Sequence, residues 1–419
     1  MSTIGYPRRP RPDAPLIYLI LEGATSLVFQ LMLTIYVVFY ATAAALDPLQ
    51  IMLLGTVFEA TIFLFEVPTG IVADVYSRRL SIIIGVGLIG VSWLLIGLLP
   101  SFVTILISEI MSGIGATFMS GATEAWITDE IGAERANKAF VRAAQVRTIC
   151  GMFGIVLSVL LASIHLSAPV ITAGISLIGL TIFLLIAMPE NGFRRTPQTE
   201  RSTWHTLADT FREGLRLIKL SPVLIPILAI TALFAFHTEG FDHLWQIHFL
   251  DNLTLPSLGT FDPIVWFGIL GIGANLLSLV LNEIVRRRVN LNDHEKTARA
   301  LRLVYGVLMV SILVFALTTN FTLAFAAYLL IAALRNVSEP INAAWFNQNV
   351  DSRIRATLFS MRGQINSLGE IIAGPPIGAI GKFFSVRAAL AASGAVLSLT
   401  LLLFAFVLRR QPALQAVEE

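Results

Sequence analysis

One feature constrains this chain more than any other: apolar stretches long enough to cross a bilayer return throughout its 419 residues. A helix needs about 20 mostly apolar residues to span the hydrocarbon core. On that ruler the sequence offers twelve stretches, roughly 16–40, 50–73, 80–99, 103–128, 142–163, 168–188, 222–249, 262–284, 302–318, 321–349, 357–380 and 387–408. Composition agrees, with 56% apolar and 13% charged residues. A soluble chain carries about 25% charge, so this one is too poorly charged for an ordinary soluble enzyme or a disordered protein. The net charge of +2 is too balanced for a surface that tracks nucleic-acid phosphates. A single cysteine, Cys150, leaves no disulfide framework and no cysteine metal site. The first stretch is too long for the core of a cleaved signal peptide and reads as an uncleaved anchor.

Lys and Arg set the orientation, because basic loops stay in the cytoplasm. Arg8, Arg9 and Arg11 precede the first stretch; Arg78 and Arg79 follow the second. Arg135, Lys138, Arg142 and Arg147 follow the fourth, and Arg353, Arg355 and Arg362 follow the tenth. The intervening loops near Asp47, Pro100, His165 and Asn320 carry none. Lys382 and Arg387 are the exceptions, in the last loop assigned outside. The alternation places both termini in the cytoplasm of a bacterial-type inner membrane and supports an even number of spans.

The long charged segment after the sixth stretch divides the chain into a bundle over 1–188, a linker over 189–221 and a bundle over 222–419. Within the linker, Trp204, Leu207, Phe211, Leu215 and Ile218 recur at helical spacing, which predicts an amphipathic helix on the inner leaflet. The halves echo one another. Asp47-Pro48 recurs as Asp262-Pro263 and Glu22-Gly23 as Glu239-Gly240, while Trp126, Phe140 and Gln145 match Trp345, Phe359 and Gln364 at one offset. Two parallel repeats of six helices predict a transporter with its site at the repeat interface.

An ionisable group in hydrocarbon costs at least about 2.5–3.5 kcal/mol, so it faces the protein interior or a wet cavity. Spans 3, 6, 9 and 12 have none in their cores. The others carry Glu22, Glu59, Glu66, Glu109, Glu124, His237, Glu239, Asp242, His243, Arg335, Glu339, Arg362 and Glu370. This predicts a central cavity lined by spans 1, 4, 7 and 10, with 2, 5, 8 and 11 flanking. Polar stripes at helical spacing support it: Glu239, Asp242, His243, Gln246; Arg335, Ser338, Glu339, Asn342; Glu22, Ser26, Gln30. Such stripes also serve as glue between helices, and Arg335 and Glu339 could pair within their own helix. Gly85-Val-Gly87-Leu-Ile-Gly90 matches a dinucleotide fingerprint but lies inside a span, where it reads as close helix packing. With no Walker string and no nucleophile arrangement, neither an enzyme nor a cofactor is expected.

After the second span the chain reads Gly70-Ile-Val-Ala-Asp74-Val-Tyr-Ser-Arg78-Arg79. This resembles the loop signature of the major facilitator superfamily, with Val75 and Ser77 standing at its usual basic and glycine positions. The resemblance implies an all-α membrane fold of twelve transmembrane helices in two pseudo-symmetric six-helix bundles. It also implies that Gly70, Asp74, Arg78 and Arg79 form a conformational switch. Phe65-Glu66-Val-Pro-Thr-Gly and Ser120-Gly-Ala-Thr-Glu-Ala-Trp126 look like the drug:proton antiporter branch that includes tetracycline-resistance-like exporters. That likeness implies proton-coupled efflux of amphipathic drugs. Glu109 stands where the branch has an arginine, and its fifth-helix Gly-Pro pair is missing; Gly374-Pro375-Pro376-Ile-Gly378 lies on the eleventh span instead.

Glu59, Glu66, Glu370 and Glu109 are the candidates for proton coupling, since alternate drying and wetting moves a carboxyl between its two states. Glu22, Gln30, Glu239, Asp242, Arg335, Glu339, Asn342 and Trp345 are the candidates for a substrate cavity. The expected partners are a small amphipathic substrate, protons and membrane lipids, with no nucleic acid, and the chain is expected to act as a monomer. The alternatives are an exporter or flippase of a native lipid or siderophore-like amphiphile, and a proton-coupled nutrient symporter.

Overall fold

Several of the long helices start where a side chain satisfies one of their free N–H groups. Asp47 and Gln50 form a reciprocal box: Gln50 N–H donates to Asp47 Oδ1 at 2.9 Å, and Asp47 N–H donates to Gln50 Oε1 at 3.0 Å. Ser77 caps the next helix through Leu80 N–H at 2.9 Å, and Asp293 caps a later one through Lys296 N–H at 3.0 Å. The computed structural model describes residues 13–195, 224–259, 262–288, 293–348 and 355–418.

The helices are α1 (Ala14–Thr42), α2 (Pro48–Val75), α3 (Arg78–Leu98), α4 (Phe102–Ile131), α5 (Ala133–Ala162) and α6 (Ala168–Ala187). The second half contributes α7 (Leu224–Asn252), α8 (Val265–Arg288), α9 (His294–Leu317), α10 (Phe321–Gln348), α11 (Arg355–Phe383) and α12 (Val386–Glu418). α1 is broken at Thr34–Ile35, and α4 at Ser120–Gly121, where Gly121 takes φ +67°. Among the described residues, eleven helices are long and apolar enough to cross a membrane. α11 is the twelfth, with Arg362, Glu370, Lys382 and the Pro375-Pro376 pair along its length. α5 and α9 start at Ala133 and His294, about two turns before the hydropathy ruler places them. Their first turns carry Glu134, Arg135 and Lys138, and Glu295, Lys296 and Arg299, so the helix continues where apolarity stops. The expected amphipathic linker helix lies outside the described residues.

The packing repeats between halves. α1 packs on α5 and α6, α2 on α4, and α3 on α4 and α6; likewise α7 packs on α11 and α12, α8 on α10, and α9 on α10 and α12. Gly23 sits against Val146 and Cys150 of α5, while its echo Gly240 sits against Ile377 of α11 and Ser393 of α12. Gly85 packs against the carbonyl of Gly115 and Gly90 against Leu177 and Ile178, so the fingerprint-like glycines serve helix contact.

The halves meet along α2–α11 and α5–α8. At one end they are zipped shut. A Cβ on Gly381 would come within 2.9 Å of Pro48, and one on Gly378 within 2.9 Å of Met52. Gly268 abuts Val159 across the second seam. Lys382 Nζ closes on Asp47 Oδ2 at 2.9 Å. At the other end a Cβ on Gly70 or Gly363 would meet nothing within 4 Å. The two bundles therefore splay apart toward the end that carries Arg78.

Candidate functional site

Two adjoining chambers fill the space left by that splay. The inner one, about 570 Å³, is walled mainly by α7 and α10, with Gln30 of α1 and Arg362 and Asn366 of α11. The outer one, about 1060 Å³, lies between α2 and α4 on one side and α10 and α11 on the other, with Glu66, Gly70 and Ser120 facing Phe359 and Gly363. Thr231, Glu339, Arg362 and Asn366 line both, so they mark the junction. Spans 1, 4, 7 and 10 do reach the cavities, as the charge pattern predicts. α2 and α11 contribute as much, and Tyr305 of α9 enters from a helix expected neither to line nor to flank the cavity.

In the inner chamber Arg335 grips Asp242 with both guanidinium arms, at 2.5 and 2.7 Å. The pair links α10 to α7. It displaces the Arg335–Glu339 pairing within α10, because a bidentate carboxylate across the gap offers Arg335 two charge-assisted bonds. Glu339 is left exposed to the chamber. Asn342 donates to the Tyr305 hydroxyl at 2.6 Å, and Tyr305 stacks on Phe234 with centroids 5.1 Å apart. Gln30, Asp242, Arg335, Glu339 and Asn342 therefore line one chamber.

Three of the expected cavity residues do not line it. Glu22 is 8% exposed and bonded to Arg147 of α5 at 2.6 Å, an ion pair inside the first half. Trp345 is 1% exposed and packed on Phe404 of α12. Its echo Trp126, outside that set, is as deeply buried, with its indole N–H on the Pro189 carbonyl at 2.7 Å. Glu239 is 5% exposed and belongs to a separate cluster. A stripe of polar spacing says which helix face is polar, not whether that face meets a cavity or another helix.

This cluster lies along the α2–α11 seam, with Glu239 buried and Glu59, Glu109, His243 and Glu370 half-buried. Glu239 Oε1 stands 3.6 Å from His243 Nδ1, and both side chains crowd Gly55 of α2. The carboxyls of Glu59 and Glu370 face each other across the seam, and Asn366 donates to Glu370 at 3.0 Å. Glu109 accepts from the Tyr40 hydroxyl at 2.7 Å. Glu66 stands apart, exposed in the outer chamber with Ser120 Oγ at 3.5 Å. Of the four proton-coupling candidates, then, Glu59 and Glu370 are brought together.

The expected switch residues are all placed within the first half. Arg78 ion-pairs with Asp129 and donates to the Ala125 carbonyl at 3.0 Å. Arg79 N–H and Ser77 Oγ donate to Glu190 at 2.9 and 2.6 Å. Asp74 makes no hydrogen bond or ion pair among the described residues. Gly70 lines the outer chamber rather than a close helix contact, because the seam is open at its level.

Sequence reasoning passed over the closed end. Lys382 looked like an exception to the charge rule, yet it binds Asp47. Burial opposes ionisation of Asp47, but the Gln50 N–H and the Lys382 ammonium outweigh it and hold the carboxyl below its usual range. The signal was there in one lysine at the end of a glycine-spaced helix, Gly374, Gly378, Gly381, Lys382.

Comparison with known proteins agrees with the fold. The model of the Major Facilitator Superfamily matches residues 18–374. An MFS-type transporter of Bacillus subtilis (strain 168), YxaM, described as uncharacterized, is 24% identical over 380 residues, covering 88% of this chain and 90% of that one. Among solved structures, the nucleoside transporter NupG superposes with a TM-score of 0.75 at 13% identity, over 94% of this chain and 100% of that one. A POT family transporter gives 0.70 at 14%, over 98% of each chain. A bacterial homologue of the human lysosomal transporter Spinster, in an inward-facing unoccupied conformation, gives 0.69 at 16%, over 94% and 96%. At these identities the likeness concerns the fold alone.

Proposed function

The chain belongs to the Major Facilitator Superfamily and is a membrane transporter, not an enzyme; from that premise we propose that it exports small amphipathic molecules in exchange for protons. The observation that carries the reading is that Glu59 and Glu370 face each other across the seam between the halves. An ionised carboxylate only accepts hydrogen bonds, so two facing carboxyls can bond to each other only when one is protonated. Parting the seam separates them and lets water in, and water favours the ionised forms. Proton release is thereby tied to the motion that opens the closed end.

The positive-inside rule puts the Arg78 end in the cytoplasm, which makes this the inward-open state. Solute enters from the cytoplasm through the outer chamber, whose Phe63, Phe359, Val67 and Leu368 suit an apolar body and whose Glu66 suits a positive charge. Asp74, which has no partner among the described residues, finds one when the halves close over Gly70. Asp47 and Lys382 then separate at the far end.

Reconstitution with a pH-sensitive dye inside the vesicles tests this. Under an imposed pH gradient, lipophilic cations or tetracycline are expected to drive proton flux, and sugars are not. Solute movement without proton movement would end the coupling proposal. Flux with lysolipid alone would redirect the substrate to a native amphiphile.

A further inference from the structure

Four formal charges face the inner chamber: Asp242, Glu339, Arg335 and Arg362. Two of them are committed to each other, since Arg335 occupies both Asp242 oxygens. The other two are not. Glu339 is exposed and makes no hydrogen bond or ion pair among the described residues. Arg362 lies over the Phe346 ring at 5.4 Å and, among the described residues, pairs with no carboxylate. Both line both chambers, yet they do not bridge to one another. The junction therefore presents one unspent positive and one unspent negative group to whatever fills it.

We infer that the substrate is amphoteric, with an anionic group received by Arg362 and a cationic group by Glu339. This rests on the transport reading above and narrows its substrate class. Closing the chambers around a solute removes water from both groups, and a desolvated charge is costly unless paired. A simple amphipathic cation satisfies Glu339 and leaves Arg362 facing a drying cavity; a simple anion does the reverse. A molecule bearing both charges satisfies both. The flat wall made by Phe234 and Tyr305 and the apolar side of the outer chamber receive its uncharged body.

The test is equilibrium binding to the purified full chain, read by thermal stabilisation in detergent with no gradient. The probes share one skeleton: phenylalanyl-phenylalanine (both charges), its C-terminal amide (cation), its N-acetyl form (anion) and its N-acetyl amide (neutral). Tetracycline against tetraphenylphosphonium is a second amphoteric–cation comparison. The amphoteric member of each set is expected to bind at least about tenfold more tightly than its cation. Arg362→Gln should bring the dipeptide down to the affinity of its amide, and Glu339→Gln to that of its N-acetyl form. Arg362→Lys, which keeps the charge, should retain most of the preference and controls for folding. Equal or better binding of the cation in both sets, variants that weaken all four peptides alike, or no preference in either set would overturn the inference. Because no proton movement enters this readout, its failure is distinct from failure of the coupling, which the vesicle experiment reads separately.

Discussion

Gln246 stands in for Thr34 as the hydrogen-bond partner of Val38. In an unbroken α1 the Val38 N–H would donate to the Thr34 carbonyl. The break at Thr34–Ile35 parts them, and the buried Gln246 amide fills the gap, accepting from Val38 N–H at 3.1 Å and donating to Thr34 O at 3.0 Å. A side chain of the second half thus completes a helix of the first, next to the polar cluster and near the closed end.

Gln246→Leu should therefore leave a buried donor and a buried acceptor unpaired. The expected cost is about 2–4 kcal/mol, seen as a clear fall in the thermal unfolding midpoint in detergent. Gln246→Glu keeps the acceptor for Val38 but turns an acceptor toward the Thr34 carbonyl, so it should fall as well. A leucine variant as stable as the parent would show that the α1 break does not depend on the amide.

The Asp47–Lys382 pair should bias the closed end by a modest amount. Its side chains are 33% and 40% exposed, so solvent screening limits it to about 0.5–1 kcal/mol. With spin labels at Ala43→Cys and Phe384→Cys in a Cys150→Ser background, Lys382→Met or Asp47→Asn should broaden the distance distribution toward longer values. The pH sign follows from the depressed Asp47 carboxyl. Its contribution is complete above the ordinary carboxylate value of about 3.9 and is lost only as pH falls through the lower value of the closed state. A Lys382-dependent distance change between pH 5 and pH 8 would contradict this assignment.

Glu59→Gln and Glu370→Gln should each abolish substrate-driven proton movement while retaining substrate exchange between equal concentrations. Glu66→Gln should keep proton movement coupled to solute movement, with at most a weaker apparent affinity for cationic solutes, because Glu66 is exposed in the outer chamber and outside the cluster. Parallel dye and counterflow assays on the three variants separate these outcomes. Loss of flux in the Glu66 variant with retention in the other two would move the coupling site.

Arg335 and Asp242 should behave as a unit. Removing either charge alone leaves the other unpaired in a half-open chamber, at an expected cost of about 1–3 kcal/mol after allowance for its partial exposure. Arg335→Met combined with Asp242→Leu should recover most of that stability in a thermal double-mutant cycle without recovering transport. Additive losses would mean that the two charges act independently.

Much of the site was legible in the sequence. Helical spacing brought Asp242, Arg335, Glu339 and Asn342 onto faces that meet in one chamber, and of the charge-poor spans 3, 6, 9 and 12 only α9, through Tyr305, lines either chamber among the described residues. Glu22, Glu239 and Trp345 show the limit. Each belongs to a polar or echoed stripe that points inward, but Glu22 meets Arg147, Glu239 meets His243 and Trp345 meets Phe404 before any of them reaches the cavity.

The sequence by itself determined the class, the spans and the two-fold internal repeat, because hydrocarbon thickness and the cost of an unpaired charge act on each segment alone. Only the tertiary structure decided the pairings. Arg335 had Glu339 one turn away and took Asp242, and Lys382 found Asp47 across more than three hundred residues. Charge partners are chosen by three-dimensional proximity and geometry, and neither is a function of separation along the chain.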